Sequence, residues 1–88
     1  MTAYKVNIEK RVLKDLKKLK QSKLKDKFNE LTGTLKNDPY HFSDSFEKLN
    51  PKHLNIYSRR INRQHRLVYH VDEENKIVTI YSAWGHYE

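Results

Sequence analysis

Hydrophobic and polar side chains alternate near the start of the sequence. Tyr4, Val6 and Ile8 are separated by the polar residues Lys5 and Asn7. This period of two is typical of a strand that buries one face. A half-buried strand is therefore predicted here.

Apolar residues then recur every three or four positions, which is the spacing of a helix with one buried face. Two such segments follow each other, with apolar positions Val12, Leu13, Leu16 and Leu19 in the first and Leu24, Phe28, Leu31 and Leu35 in the second. Between them, Ser22 is of a residue type that caps helix N-termini. Pro39 ends the second segment, because proline disfavours helical backbone at the residue before it. Two amphipathic helices are therefore predicted before residue 40.

The second half of the chain is predicted to form strands. Residues 40–53 are polar and have no clear period, which indicates a loop. Residues 57–61, 65–71 and 77–84 are rich in β-branched and aromatic side chains, which favour strands. A polar turn at 72–75 separates the last two. Three consecutive strands joined by short turns form an antiparallel meander.

These elements together predict an α+β fold in the order β-α-α-β-β-β. The sheet is expected to be antiparallel, with the N-terminal strand added to it and both helices packed on one face. Residues 1–88 are expected to form one domain. In the middle strand of the meander, Leu67 and Tyr69 are assigned to the core face, so Arg66 and Val68 belong to the open face.

Charge is distributed unevenly along the chain. The formal net charge is +7, and the whole excess lies in residues 1–37, which hold eleven Lys/Arg and four Asp/Glu. A basic domain attracts polyanions such as nucleic acid, acidic proteins or anionic membranes. The lysines predicted to contact a nucleic-acid backbone are Lys14, Lys17, Lys18, Lys20, Lys23, Lys25 and Lys27. A solvated lysine-rich helix face is the competing interpretation.

Composition excludes several kinds of site. The chain has no cysteine, so disulfides, thiolate metal sites and cysteine nucleophiles are ruled out. No apolar run approaches the roughly 18 residues of a membrane span, and no secretory signal is recognisable. The expected location is the cytoplasm, with no membrane partner, cofactor or metal.

Residues that could perform acid–base chemistry lie in and beside the predicted meander. The sequence contains Ser58-Arg59-Arg60-Ile61, His65-Arg66-Leu67-Val68-Tyr69 and His86-Tyr87-Glu88, and Glu47 precedes the first strand of the meander. RNA cleavage without a metal needs a base for the 2′-hydroxyl, cations for the phosphate charge and an acid for the leaving oxygen. Carboxylate, guanidinium and imidazole supply these functions. All three are also ordinary surface groups, so the residues alone indicate a basic α+β domain that binds nucleic acid.

These motifs resemble the YoeB (Txe) toxins of type II toxin–antitoxin systems, which are RelE-type mRNA interferases. The resemblance rests on Phe46-Glu47-Lys48-Leu49, on the two arginine motifs and on the terminal His86-Tyr87. It implies the RelE-like microbial RNase fold and a toxin that cleaves mRNA in the ribosomal A site. The 2′-hydroxyl would attack the adjacent phosphate and give a 2′,3′-cyclic phosphate and a free 5′-hydroxyl.

The resemblance also implies a role for each matched residue. Glu47 would act as the general base and His86 as the general acid. Arg66 would hold the scissile phosphate, and Arg60 would bind substrate and support the transition state. Tyr87 would help to place the substrate.

Two further residues of the arginine motifs are interpreted differently. His65 is expected to have a structural or orienting role. Arg59 points away from Arg60 by strand alternation. We therefore expect Arg59 to form an ion pair or to contact ribosomal RNA at an interface.

Partners follow from the same resemblance. An antitoxin with an acidic neutralising segment would cover the basic face and the active-site groove, and the ribosomal A site would present the mRNA. The sequence does not decide between a monomer and a homodimer, because the tryptophan-rich first helix of many relatives is absent. Operator DNA is expected to be contacted only through the antitoxin. The alternative function is a non-catalytic RelE-like module that binds nucleic acid, the ribosome or another protein.

Overall fold

A computed structural model describes residues 3–43 and 45–85. Strand β1 (Lys5–Ile8) leads through a 3₁₀ turn (Lys10–Val12) into helix α1 (Leu13–Gln21) and helix α2 (Lys25–Asn37). The elements that follow are β2 (Glu47–Lys48), a second 3₁₀ turn (Lys52–Leu54), β3 (Ile56–Arg60), β4 (Arg66–Asp72) and β5 (Ile77–Ser82). No helix in these ranges is both long and apolar enough to cross a membrane.

The five strands form one sheet in the order β1-β5-β4-β3-β2. Strands β2 to β5 pair antiparallel, whereas β1 pairs parallel with β5. The predicted α+β fold is confirmed, but the sheet is mixed rather than antiparallel throughout. A tight turn makes neighbouring strands antiparallel, and β1 has no such turn, because both helices lie between it and the meander.

The core lies between the helices and one face of the sheet. Its helical side contains Val12, Leu19, Phe28 and Leu35, and its sheet side contains Leu67, Tyr69, Val71, Val78 and Ile80. The alternation predicted for β4 is therefore present, since its odd-numbered residues face the helices. Burying one such aliphatic side chain contributes about 1.5–3 kcal/mol.

The opposite face of the sheet carries the even-numbered residues of β3 and β4. It is not uniformly open, because Val68 is only 3% exposed. The rings of Tyr81 and Trp84 line one pocket together with Val68. A register shift opposite Val68 and Tyr69 leaves Tyr81 without a partner residue in β4. Such bulges re-aim a side chain, and here the bulge belongs to the strand that leads towards the C-terminal residues.

The predicted loop at 40–53 contains short regular elements. Glu47 and Lys48 form β2 and pair with Ser58 and Tyr57 of β3. A strand of two residues has too few positions to show a period, so the sequence pattern did not reveal it. Its position matters, because it adds Glu47 to the edge of the sheet.

The connection between the helices differs from the predicted N-cap. Ser22 is the C-cap of α1, and the N-cap position of α2 is Leu24, without a side-chain cap. The amides of Lys23 and Leu24 donate to the carbonyls of Lys20 and Leu19, which is a Schellman motif. Lys23 occupies its left-handed position, with φ of 62°.

We expect Lys23→Gly to raise the free energy of unfolding by up to about 1 kcal/mol. A side chain in the left-handed region costs about 1–2 kcal/mol, part of which glycine loses again through its greater freedom when unfolded. Urea denaturation would measure the change. Lys17→Gly, inside α1, is the matched control and should lower stability by about 1 kcal/mol. A destabilised Lys23→Gly protein would contradict the assignment of this turn.

Candidate active site

Three residues that the sequence singled out lie around one pocket. The pocket has a volume of about 260 Å³ and is lined by Ser45, Phe46, Glu47, Arg60 and Arg66. The sheet register explains why they meet. Glu47 is opposite Ser58, and Arg60 is opposite Arg66 across the pair β3–β4. The polar ends of β2, β3 and β4 therefore form the walls of one site.

The guanidinium of Arg66 is held at two points. Its Nε donates to Ser58 Oγ at 3.0 Å, and its Nη2 donates to the carbonyl oxygen of Ser45 at 2.8 Å. An arginine side chain has five N–H donors, so the remaining ones are available to a ligand as far as the described residues show. Two fixed contacts also limit the rotation of the group. Arg66 is thus a pre-oriented donor for an anion such as phosphate.

Arg60 adds a second cation at the end of β3. Its backbone N–H donates to Ser45 Oγ at 3.2 Å, and its side chain is exposed. Like charges on directly opposed residues of a sheet repel each other. An anion bound between Arg60 and Arg66 would relieve that repulsion, so the pair favours a negatively charged ligand.

Glu47 is exposed at the rim of the same pocket. None of the ion pairs among the described residues involves Glu47, Arg60 or Arg66. The carboxylate therefore shares the pocket with both cations without forming an ion pair with either. Such a carboxylate can accept a proton from a bound hydroxyl.

The described part of the chain ends at Gly85, beside Arg66. The backbone N–H of Arg66 donates to the carbonyl of Gly85 at 3.0 Å, and the N–H of Gly85 donates to His65 Nδ1 at 2.8 Å. The rings of His65 and Trp84 stack with their centroids 3.8 Å apart. His86 and Tyr87, predicted as general acid and substrate-placing residue, lie outside the described residues.

The family model for the YoeB-like toxin of bacterial type II toxin–antitoxin systems matches residues 6–87 of this chain. The chain belongs to this YoeB-like toxin family. None of the curated proteins compared matches the chain.

Solved structures agree with the family in fold. The chain is similar to the YoeB dimer from Staphylococcus aureus, with a TM-score of 0.78, 32% identity and coverage of 98% of this chain and 100% of that one. It is also similar to the YoeB–YefM complex from the same organism, with a TM-score of 0.74, 32% identity and coverage of 96% and 98%. A YoeB/ParE toxin from Agrobacterium tumefaciens shares the fold with a TM-score of 0.81, at 24% identity over 94% of this chain and 99% of that one.

Arg59 of this YoeB-like chain is not accessible to ribosomal RNA. It is 2% exposed, so the predicted RNA contact is wrong. Strand alternation gave its face correctly, but that face is the core. Within the described residues its hydrogen-bond partners are the neutral groups of Pro39, His41, Ser43 and Tyr69, and not the carboxylate of the predicted ion pair.

The predicted RNA-contacting lysines divide into two groups. Lys14, Lys17, Lys18, Lys20 and Lys23 are exposed on and after α1. By contrast, Lys25 and Lys27 of α2 are half-buried: Lys25 lies over the ring of Phe28, and Lys27 pairs with Glu30 at 3.6 Å.

Two lysines of α1 lie close to Trp84, which precedes Gly85. Lys18 Nζ is 5.9 Å from the centre of the Trp84 ring, and Lys14 lines a pocket with Trp84 and Val68. The basic surface is therefore continuous with the segment that leads into the C-terminal residues.

Two serines of the site were not recognised as functional from the sequence. Ser58 accepts a hydrogen bond from the Arg66 side chain. Ser45 accepts one from the Arg66 side chain and one from the Arg60 backbone. Ser58 could have been found, because strand alternation puts it on the same face as Arg60. Ser45 lies in an aperiodic segment, and nothing in the sequence pattern distinguishes it from its neighbours.

His65 occupies a position that suits the orienting role expected of it. It is 8% exposed, and it contacts the segment that leads to His86. We expect His65→Phe to keep the stack on Trp84 but to lose the acceptor for Gly85. A lost hydrogen bond of about 1 kcal/mol should speed exchange of the Gly85 amide about fivefold. His70→Phe is the matched control, and an unchanged Gly85 amide would refute the role.

Proposed function

We propose that this YoeB-like toxin is a ribosome-dependent endoribonuclease that cleaves mRNA in the A site and so inhibits translation. The observation that carries the proposal is the pocket in which Glu47, Arg60 and Arg66 meet in a member of this family. These residues supply a proton acceptor and two phosphate-binding cations. The activity belongs in the cytoplasm, where translating ribosomes are.

The proposed reaction is a transesterification within the RNA strand. Glu47 takes the proton of the 2′-hydroxyl while the 2′-oxygen forms a bond to the adjacent phosphorus. The bond from phosphorus to the 5′-oxygen breaks, and that oxygen receives a proton from His86. The products are a 2′,3′-cyclic phosphate and a 5′-hydroxyl. Each proton-transfer group typically contributes about 10²–10⁴ in rate.

The arginines stabilise the charge that develops on the phosphate. Arg66 is already oriented by Ser58 and Ser45, so little reorganisation is needed when the charge forms. Arg60 places a second positive charge beside the same phosphate. The roles of His86 as acid and Tyr87 as substrate-placing residue rest on the family motif, supported by the position of Gly85 beside Arg66.

The proposed partners include a neutralising antitoxin. The similar Staphylococcus aureus protein is found in a YoeB–YefM complex and also as a dimer. We propose an antitoxin whose acidic segment covers the basic surface and the pocket, and a homodimer as a further assembly. Operator DNA would be reached only through the antitoxin.

Primer extension in a reconstituted translation system tests the function directly. We expect the protein to cut mRNA only when ribosomes are present, and to leave fragments with 2′,3′-cyclic phosphate ends. Cuts in free RNA of equal efficiency would contradict ribosome dependence. Intact mRNA with the protein bound to the ribosome would favour the non-catalytic binding module.

Ribosome binding should depend on salt through the lysines of α1. Each phosphate contact contributes about 0.7–0.9 to the slope of log affinity against log salt concentration. We expect Lys14→Gln/Lys18→Gln to reduce that slope by about 1.5. Lys36→Gln/Lys52→Gln removes the same charge at other exposed positions. Equal slopes in the two double variants would show that the α1 surface is only a solvated helix face.

A further inference from the structure

Arg59 is a cation in the interior of the sheet–helix core. It lies in β3 opposite Leu67, while its neighbours Ser58 and Arg60 face the active-site side. Burying a charged group is costly unless hydrogen bonds replace its water. Every buried side-chain nitrogen or oxygen among the described residues has such a partner. The hydrogen-bond partners of Arg59 identify the segment that it holds in place.

The guanidinium contacts the loop that leads from α2 to β2. Nη2 donates to the carbonyl oxygen of Pro39 at 3.3 Å and also to that of His41, and Nη1 lies 3.5 Å from Ser43 Oγ. Arg59 therefore reaches every second residue along 39–43. The planar fork of an arginine can engage several acceptors at once, which a lysine ammonium cannot do with the same geometry.

Tyr69 completes this anchor from β4. Its hydroxyl accepts from Arg59 Nε at 3.0 Å and donates to the Pro39 carbonyl at 2.6 Å. Burial raises the pKa of Tyr69 to about 12, so the hydroxyl keeps the proton that it donates. The start of the loop is thus attached to two strands of the sheet.

The end of the loop is held on both sides. On the core side, the Arg59 guanidinium lies 4.5 Å from the centre of the Phe46 ring, which stacks on Tyr57. On the active-site side, the carbonyl of Ser45 accepts from Arg66. Glu47 follows directly in the chain. The position of its carboxylate therefore depends on a loop fixed between two arginines.

We infer that Arg59 is a positioning residue, which holds residues 39–43 and 45–46 so that the Glu47 carboxylate faces Arg60 and Arg66. The inference rests on the proposed function, because it assigns Arg59 to the reaction of that pocket. A displacement of about 1 Å in a catalytic group can lower a rate about 100-fold. Loss of the anchor should therefore reduce turnover while substrate binding by the surface lysines persists.

The test compares Arg59→Met and Arg59→Lys with the wild type in cleavage of ribosome-bound mRNA. We expect kcat to fall about 10–100-fold for methionine and less for lysine, with KM changed less than threefold. Amide hydrogen exchange of residues 40–48 should accelerate in both variants. Val78→Ala, a core substitution in β5, is the stability control, and all proteins are assayed where urea curves show them folded.

Two results would overturn the inference. One is a kcat for Arg59→Met within twofold of the wild type, or a loss no larger than that of a Val78→Ala protein of equal stability. The other is unchanged exchange in the loop. If Arg59→Met does not fold, Tyr69→Phe removes one anchor and should show the same effects in weaker form. A wild type that never cuts mRNA refutes the proposed function itself, whereas the exchange data still show whether Arg59 holds the loop.

Discussion

We expect Arg66→Ala to lower the rate of mRNA cleavage on the ribosome by about 10²–10³-fold, the usual cost of removing one oriented donor from a developing charge. The substitution removes the only guanidinium in the described pocket that is fixed by two hydrogen bonds, to Ser58 Oγ and to the carbonyl oxygen of Ser45. Single-turnover cleavage with primer extension would measure the loss. Ribosome affinity should change little, because the exposed lysines of α1 remain.

Two matched variants separate this effect from a general loss of positive charge. Arg63→Ala removes an exposed arginine from the β3–β4 connection and should leave the cleavage rate within about twofold. Arg66→Lys keeps the charge but cannot donate to Ser58, to Ser45 and to two phosphate oxygens together. We expect it to remain impaired at least tenfold. Full activity of Arg66→Lys would show that only charge matters at this position.

The fold could be predicted from the sequence wherever one period covered a whole element. The three- and four-residue spacing around Leu16 and Phe28 gave both helices, and the alternation from Arg66 to Val71 gave the two faces of β4. Pairing between distant strands leaves no such local signal. The parallel contact of β1 with β5 and the short strand at Glu47 both depend on the tertiary structure.

The site shows the same division between local pattern and tertiary contact. Alternation places Arg60 and Arg66 on one face, so their meeting follows from the antiparallel register of β3 and β4. Arg59 was assigned to the correct face but given the wrong partners. Its acceptors are backbone carbonyls of an irregular loop, and neither propensity nor period encodes where such carbonyls point.

Glu47→Gln should lower kcat by about 10²–10⁴-fold, the contribution expected of a proton-transfer group. Glutamine has nearly the shape of glutamate but cannot accept the proton of a 2′-hydroxyl. The residue is exposed at the pocket rim, so the free energy of unfolding should stay within about 0.5 kcal/mol of the wild type. Loss of activity would then report chemistry rather than folding.

The pH dependence of the same variant identifies the role more narrowly. The acid limb of a pH–rate profile reports protonation of the general base. If Glu47 is that base, the limb should be present in the wild type and in the control Glu74→Gln, whose residue is exposed in the β4–β5 turn. It should be absent from the residual activity of Glu47→Gln. An acid limb that survives in Glu47→Gln would assign the proton transfer to another group and leave Glu47 as an electrostatic partner of Arg60 and Arg66.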